Sequence, residues 1–161
     1  MVGFPPASLT QSQAPVIFCR IASGAVQAHF VYRSPRVVAF LDIHPIRAGH
    51  VQIIPREHLA YFDSLPAEVS AEIFNLAQRL APVLRQRWNV ERVAFLFTGT
   101  DIAHAHAHVL PLVEPTDITS RRYIAEEHVS FQGAPRAPDS ELAATAAVIG
   151  AALRTSPGEF A

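Results

Sequence analysis

Cysteine is almost missing from this 161-residue chain, which contains only Cys19. A single cysteine excludes an intrachain disulfide framework and any metal site built from several cysteines. It also fits a reducing compartment, so we expect a cytoplasmic protein. Net charge is nearly missing as well, at −1 from 13 basic and 14 acidic side chains. This balance gives no electrostatic indication of binding to a nucleic acid polymer or a membrane surface.

Long apolar runs are also missing from the sequence. No uninterrupted apolar stretch reaches the roughly 18 residues that a transmembrane helix needs, and the first 14 residues lack the basic and apolar segments of a signal peptide. There is no GxGxxG or Walker motif and no GxSxG elbow. The sequence therefore gives no indication of a Rossmann cofactor site, a P-loop or an α/β-hydrolase serine.

Hydrophobic residues make up half of the chain, which is enough for one domain with a substantial core. We expect a flexible, proline-containing tail over residues 1–15 and a main domain over 16–132. Residues 133–138 are typical of a linker, and Asp139 or Ser140 is expected to cap a final helix over 141–153. The last unit therefore covers residues 133–161.

Short apolar segments separated by turns predict a largely β protein. Residues 16–21 are typical of a short helical turn that ends near Gly24. Strands are predicted for residues 28–32, 37–41, 50–55, 92–97 and the histidine-rich segment up to Pro111. Because strands outnumber helices and the connections are short, we expect an antiparallel α+β domain.

One long helix is predicted between these strands. Apolar residues recur at helical spacing from Val69 to Leu84, with Ser64 or Leu65 as the cap and Trp88 near the end. Pro82 conflicts with this pattern, because proline lacks the N–H that a helix interior requires. We therefore expect Pro82 to kink the helix or to end it early.

Three histidines at alternating positions, His104, His106 and His108, are the most informative feature. On a β-strand, residues two apart share a face, so the three imidazoles would line one surface about 7 Å apart. Imidazole can attack phosphorus or a carbonyl carbon as a nucleophile. Alternating histidines are also common ligands of zinc, and an exposed strand can carry histidine without any such role. The spacing alone leaves these alternatives open.

Other candidate residues are less specific. His50 opens a strand after Gly49 and could approach the triple-histidine segment, whereas His58 is more typical of a surface position. Asp42 ends an apolar strand and could bind a diol, although an aspartate before a proline commonly starts a turn. Cys19 has apolar neighbours, which favours an inert buried thiol over an activated one.

Together, these segments resemble the histidine triad (HIT) family. Its signature of alternating histidines and apolar residues matches His104 to Leu110. Its upstream motifs match Ile17 to Ile21, Phe40 to Pro45, and Gly49 to His58, in the family's order and spacing. The resemblance covers about residues 16–113. It implies an α+β fold with a five-stranded antiparallel sheet, one long helix and a C-terminal helix, usually in a homodimer whose sheets join.

The resemblance also implies a function: hydrolysis or transfer at the α-phosphorus of a purine nucleotide conjugate, such as a phosphoramidate or a dinucleoside polyphosphate. His106 would form a covalent nucleotidyl-histidine, His108 would contact phosphate oxygens, and His104 and His50 would orient or polarise the site. Asp42 would hold the ribose, and no metal or other cofactor would be required. The base pocket would be lined by Phe18, Ile21, Phe40, Leu41 and Ile43.

One part of the family pattern is shortened here. A longer loop usually precedes the triad and carries an Asn, a Gly-Gln and a Ser or Thr that bind phosphate. This chain has only residues 97–101, and Asp101 stands where the Ser or Thr donor is usual. A carboxylate cannot donate a hydrogen bond and repels phosphate. Thr98 and Thr100 are the candidate replacements, and the alternatives are a shifted substrate or a binding module with little turnover.

Overall fold

One antiparallel sheet of five strands forms the centre of the fold in the computed structural model, which describes residues 16–98, 102–118 and 133–155. The strands are β1 (Phe30–Arg33), β2 (Val37–Leu41), β3 (Val51–Pro55), β4 (Arg92–Phe97) and β5 (Ala107–Leu112), in the order β1-β2-β3-β5-β4. This sheet confirms the expected α+β class. The expected flexible tail over residues 1–15 lies outside the described residues.

Three α-helices accompany the sheet within the described ranges: α1 (Ile17–Ser23), α2 (Ala67–Trp88) and α3 (Asp139–Thr155). The predicted end of the first helix is confirmed, because Gly24 adopts the left-handed conformation with φ of 84°. The final helix begins at Asp139, two residues before its expected start. In the part of the chain that the structure describes, no helix combines the length and apolar character needed to cross a membrane.

The long helix α2 corrects two expectations. Its N-cap is Pro66, whereas Ser64 belongs to a short 3-10 turn (Phe62–Ser64), and Leu65 is extended, as residues before proline usually are. The helix also does not end at Pro82 but continues to Trp88. Both Pro82 and Gln78, the residue whose carbonyl loses its partner, are exposed. Water can therefore replace the hydrogen bond that proline cannot make.

The two faces of the sheet have different covers. One face packs against α2 and α3, whose apolar side chains form the main core with alternate residues of the strands; Leu41, Val51, Ile53, Ala107 and Val109 are among those strand residues. The opposite face carries a smaller apolar cluster in which Phe18 of α1 packs near Phe40 and Ile54. Phe18 lies 5.1 Å from the His106 ring, measured between centroids. This opposite face, which we call the histidine face, therefore carries the candidate site.

Strand register sets a row of side chains across the histidine face. Phe40 of β2 pairs with Gln52 of β3, Gln52 pairs with His108 of β5, and His108 pairs with Leu96 of β4. Directly opposed side chains in a sheet lie about 5 Å apart at Cβ. Gln52 is therefore placed between the apolar cluster around Phe40 and the histidines.

The segment before α3 lies against the loop between β2 and β3. The backbone N–H of Ala137 donates to the Ile43 carbonyl at 2.8 Å, and His44 Nδ1 lies 3.0 Å from the Ala134 carbonyl oxygen. Since a carbonyl only accepts, the His44 ring donates this bond. These contacts hold residues 133–138 beside the loop that follows Asp42.

Candidate active site

The three alternating histidines do not lie on one continuous strand. β5 begins at Ala107, so only His108 is in the sheet, and the expectation of a strand running through His104 and His106 is wrong. The preceding backbone makes other bonds: the N–H of Ala105 donates to the Leu59 carbonyl at 2.6 Å. This bend gives each imidazole different neighbours.

His106 presents one nitrogen for chemistry. Its Nδ1 lies 2.7 Å from the carbonyl oxygen of His104, so the proton is on Nδ1 and is donated to that carbonyl. Among the described residues, Nε2 has no hydrogen-bond partner and, in the neutral ring, carries a lone pair. The residue is only 4% exposed, and Phe18 packs against its ring. The orientation of the His106 ring is therefore fixed, and Nε2 is the nitrogen left for chemistry.

His108 belongs to a chain of hydrogen bonds. The N–H of Ile46 donates to His50 Nδ1 at 3.3 Å, which places the proton of a neutral His50 on Nε2. Nε2 then donates to His108 Nδ1 at 2.9 Å, and His108 Nε2 donates to the Thr98 hydroxyl at 2.9 Å. Burial lowers the pKa of His50 despite the nearby Asp42, which favours the neutral form.

Asp42 is held by its own loop and by the neighbouring strand. Its Oδ1 accepts the backbone N–H of His44 at 2.8 Å, which confirms the turn expected after this residue. Its Oδ2 accepts Gln52 Nε2 at 2.7 Å and lies 3.6 Å from His50 Nδ1. The carboxylate is therefore fixed at the end of the histidine chain, with 15% of its side chain exposed.

His104 faces a different pair of residues. Its Nε2 donates to the Pro55 carbonyl at 2.9 Å, while its Nδ1 lies 3.4 Å from Cys19 Sγ, which is itself 3.2 Å from His58 Nδ1. Burial lowers the pKa of His104, and the bond to Pro55 only partly offsets this. Cys19 therefore has polar neighbours, contrary to the expected apolar surroundings, and His58 is exposed but joins this cluster.

The donor atoms of Cys19, His58 and His104 lie within 4.8 Å of one another. A thiolate and two imidazoles are ligands that zinc prefers, and the Pro55 carbonyl would orient His104 as metal-bound histidines are usually oriented. The group therefore fits a zinc ion. The three alternating histidines do not meet in this way, because the metal-compatible groups found among the described residues contain no more than one of them.

The expected base-pocket residues divide between two faces. Phe18, Ile21 and Phe40 lie together in the apolar cluster of the histidine face. Ile43 is 42% exposed in the next loop. Leu41 does not join them, because it alternates with Phe40 on the strand and its side chain enters the core against α2. Of the two candidate threonines, Thr98 reaches His108, whereas Thr100 and Asp101 lie outside the described residues.

Sequence reasoning missed Gln52 and the grouping of Cys19 with His58. Gln52 offered one usable signal, a polar residue inside an otherwise apolar strand. The Cys19 and His58 pair offered none that spacing could detect, because 39 positions separate the two residues. Their meeting depends on how α1 packs beside β3.

Comparison with known proteins identifies relatives of this chain. A family model described as the HIT domain matches residues 23–114, which is more than half of the chain. An uncharacterized HIT-like protein from Methanocaldococcus jannaschii is 30% identical over 102 residues, covering 61% of this chain and 79% of that protein.

Two further relatives have more informative descriptions. An adenosine 5'-monophosphoramidase from Candida albicans is 28% identical over 109 residues, covering 62% of this chain and 72% of that enzyme. The crystal structure of a zinc-bound histidine triad family protein from Mycobacterium smegmatis superposes with a TM-score of 0.64 at 26% identity. That match covers 86% of this chain and 93% of the other.

Proposed function

This chain belongs to the HIT family, and from that premise we propose that it is a nucleotide hydrolase or nucleotidyl transferase acting through His106. The substrate is a purine nucleotide conjugate, either a phosphoramidate or a dinucleoside polyphosphate. The observation that carries the proposal is the bond from His106 Nδ1 to the His104 carbonyl, which leaves Nε2 as the nucleophilic atom. The relative described as an adenosine 5'-monophosphoramidase supports the phosphoramidate class.

The reaction proceeds in two steps. His106 Nε2 attacks the α-phosphorus, and the bond from phosphorus to the leaving group breaks with its electron pair on that group. Water then hydrolyses the nucleotidyl-histidine, so that one water supplies the hydroxyl on phosphorus and, in net, the proton on the leaving group. As negative charge develops on the phosphate oxygens, they accept hydrogen bonds from the Thr98 hydroxyl and from the His108 Nε2–H, which turns from Thr98 to the phosphate. Asp42 binds the ribose, and Phe18, Ile21, Phe40 and Ile43 border the base.

The test uses an adenosine phosphoramidate and a diadenosine polyphosphate as substrates. We expect the wild type to release AMP, and His106→Ala to lose at least about a thousandfold in kcat, as is common when a covalent nucleophile is removed. His29→Ala is the matched control, because His29 pairs with Asp139, the first residue of α3, and lies outside the site. Absence of AMP release from both substrates by a folded wild type would contradict the hydrolase proposal.

A nucleotide-binding module with little turnover is the alternative within the same site. The shortened loop before the triad favours it, because fewer donors precede His104 in the sequence than in the family pattern. Calorimetry with AMP separates the two: saturable binding without AMP release from either substrate assigns a binding module, whereas binding with turnover assigns an enzyme.

A second proposal concerns a metal. We propose that Cys19, His58 and His104 hold one zinc ion that fixes the backbone supporting His106, and that the chemistry at phosphorus does not need it. The donor atoms of this group and the zinc-bound relative from Mycobacterium smegmatis support it. Elemental analysis is expected to find about one zinc per chain in the wild type and almost none in Cys19→Ser. A loss of the chemical step itself on chelation, with the fold intact, would contradict the supporting role.

A further inference from the structure

Gln52 is a polar side chain on the histidine face with one atom left unpaired among the described residues. It is 8% exposed, and its strand neighbours on the histidine face are Phe40 and His108. Its Oε1 is buried and has no hydrogen-bond partner among the described residues. Buried polar atoms are nearly always paired, so an unpaired acceptor between Phe40 and His108 indicates a missing donor.

The orientation of this amide is fixed by Asp42. Gln52 Nε2 donates to Asp42 Oδ2 at 2.7 Å, and turning the amide over would place two oxygens against each other. Oε1 can therefore act only as an acceptor for another group. Because the Asp42 side chain is 15% exposed, the pair formed by Asp42 and Gln52 borders solvent on that side.

We propose that Gln52 is a specificity-determining residue whose Oε1 accepts a hydrogen bond from one ribose hydroxyl of the nucleotide, while Asp42 accepts the other. This inference rests on the proposed nucleotide-binding function. A ribose carries two adjacent hydroxyl donors, and this pair of side chains offers two adjacent acceptors. A 2'- or 3'-deoxy ligand leaves one of those acceptors unpaired.

The register of the sheet explains why the sugar, and not another part of the ligand, lies over Gln52. The base borders the cluster around Phe40, and the phosphate lies at His106 and His108. Gln52 stands between Phe40 and His108 in the same row of side chains. The group that links base to phosphate must cross this position, and in a nucleotide that group is the ribose.

The experiment measures dissociation constants by calorimetry for AMP, 2'-deoxy-AMP and 3'-deoxy-AMP. In the wild type, we expect the deoxy nucleotide that loses the bond to Gln52 to bind about tenfold more weakly than AMP, the ratio for one neutral hydrogen bond. The deoxy nucleotide that loses the bond to the Asp42 carboxylate should bind at least as weakly, because that bond is charge-assisted. In Gln52→Met, which keeps the length of the side chain but has no amide, we expect this penalty to disappear for one deoxy nucleotide and to remain for the other.

Gln78→Met is the matched control, since Gln78 is exposed on α2 and lies outside the site; it should keep both penalties. Equal ratios in Gln52→Met and wild type would overturn the inference. A second result would also overturn it. Purine riboside monophosphate lacks the adenine amino group, and a loss of affinity that depends on Gln52 and is seen only with this ligand would show that Gln52 binds the base. If the wild type binds AMP without discriminating the deoxy forms, the inference fails and the proposed function stands; if AMP does not bind, the proposed function fails.

Discussion

At the scale of single residues, the histidines of this site differ in which ring nitrogen carries the proton. The backbone carbonyl of His104 takes the Nδ1 proton of His106, whereas the N–H of Ile46 leaves the His50 proton on Nε2. His108 accepts a hydrogen bond from His50 at Nδ1 and donates one from Nε2 to the Thr98 hydroxyl. Three side chains of the same type therefore differ in which ring nitrogen donates, which accepts and which is left without a partner among the described residues.

Thr98 is the residue by which the protein can partly replace the donors of the longer loop. Replacing it by valine removes the hydroxyl that accepts the His108 Nε2–H, so we expect kcat/KM to fall about tenfold to a hundredfold. Thr98→Ser keeps the hydroxyl and is expected to stay within about threefold of wild type. Steady-state kinetics with the phosphoramidate measure both variants, and a loss in Thr98→Ser as large as that in Thr98→Val would contradict the role of the hydroxyl.

The ion pair between Asp117 and Arg47 should make the free energy of unfolding depend on pH in the acid range. Arg47 donates to the carboxylate from two nitrogens, at 2.8 and 2.6 Å, and these bonds lower the pKa of Asp117 to about 2. Because the folded value lies below the ordinary 3.8, its contribution is complete above about pH 4 and is lost as the pH falls towards 2. We expect roughly 1 to 2 kcal/mol of unfolding free energy to be lost over that interval.

Chemical denaturation at pH 6, 4 and 2.5 measures this loss. Asp117→Asn removes the titrating group, so it should be less stable than wild type at pH 6 and should lose less on acidification. Parallel curves for the two proteins would show that other carboxylates cause the acid sensitivity.

At the scale of the elements, the loop that leads into β3 meets the end of α2 at Gly49, just before His50. Gly49 has a φ of 88°, and a Cβ built on it would lie 2.5 Å from the Trp88 ring at the end of α2. Gly49→Ala therefore adds backbone strain and a clash, and we expect it to cost about 3 kcal/mol of stability and to reduce activity by displacing His50.

Gly24→Ala is the matched control, because Gly24 has a similar φ of 84° with open space around its Cα. Gly24→Ala should lower the free energy of unfolding by only about 1 kcal/mol, from backbone strain alone, and should leave activity unchanged. Thermal unfolding and AMP release from the phosphoramidate report both effects. Equal costs at the two glycines would exclude the Trp88 contact as the cause.

Helix α2 carries Pro82 on its exposed side and is nevertheless continuous. Since proline is about 3 kcal/mol less favourable than alanine inside a helix, Pro82→Ala should stabilise the protein by roughly 1 to 3 kcal/mol with no change in activity. Pro66→Ala, at the N-cap, is expected to have a much smaller effect. A lower melting temperature for Pro82→Ala would show that the helix is fitted to the proline.

At the scale of the whole molecule, β1 and β4 are the two edge strands of the sheet in the part of the chain that the structure describes. Near β4, Phe95 and Phe74 are 37% and 51% exposed, and their rings lie 5.7 Å apart. An exposed apolar patch beside a strand that ends the sheet, as β4 does among the described residues, is typical of an interface. We therefore propose that two copies join along β4 into one continuous sheet, as the family resemblance implies.

Phe95→Lys tests this arrangement, because a charge on the patch should separate the copies. We expect wild type to sediment as a dimer and Phe95→Lys as a monomer at micromolar concentration. Val148→Lys, on an exposed position of α3, is the control and should remain dimeric. A monomeric wild type would contradict the proposal.

The sequence by itself determined the sheet strands, the long helix and the family, because these depend on local signals. Alternating apolar residues, turn residues and the order of four motifs are properties of neighbouring positions. The same information led us to predict His50, His104, His106 and His108 as site residues, and their roles stay predictions. It was wrong about the strand through His104 because the Ala105 N–H bonds to a carbonyl 46 positions away, at Leu59.

Only the tertiary structure decided which partner each ring nitrogen meets, and which face each residue enters. Leu41 and Phe40 are adjacent in sequence but lie on opposite faces of the sheet. Cys19, His58 and His104 come together from three separate segments, and Gln52 is left with one unpaired oxygen beside Asp42. These features arise from contacts between distant parts of the chain, where proton positions and hydrogen-bond satisfaction are set by packing, and no local pattern records them.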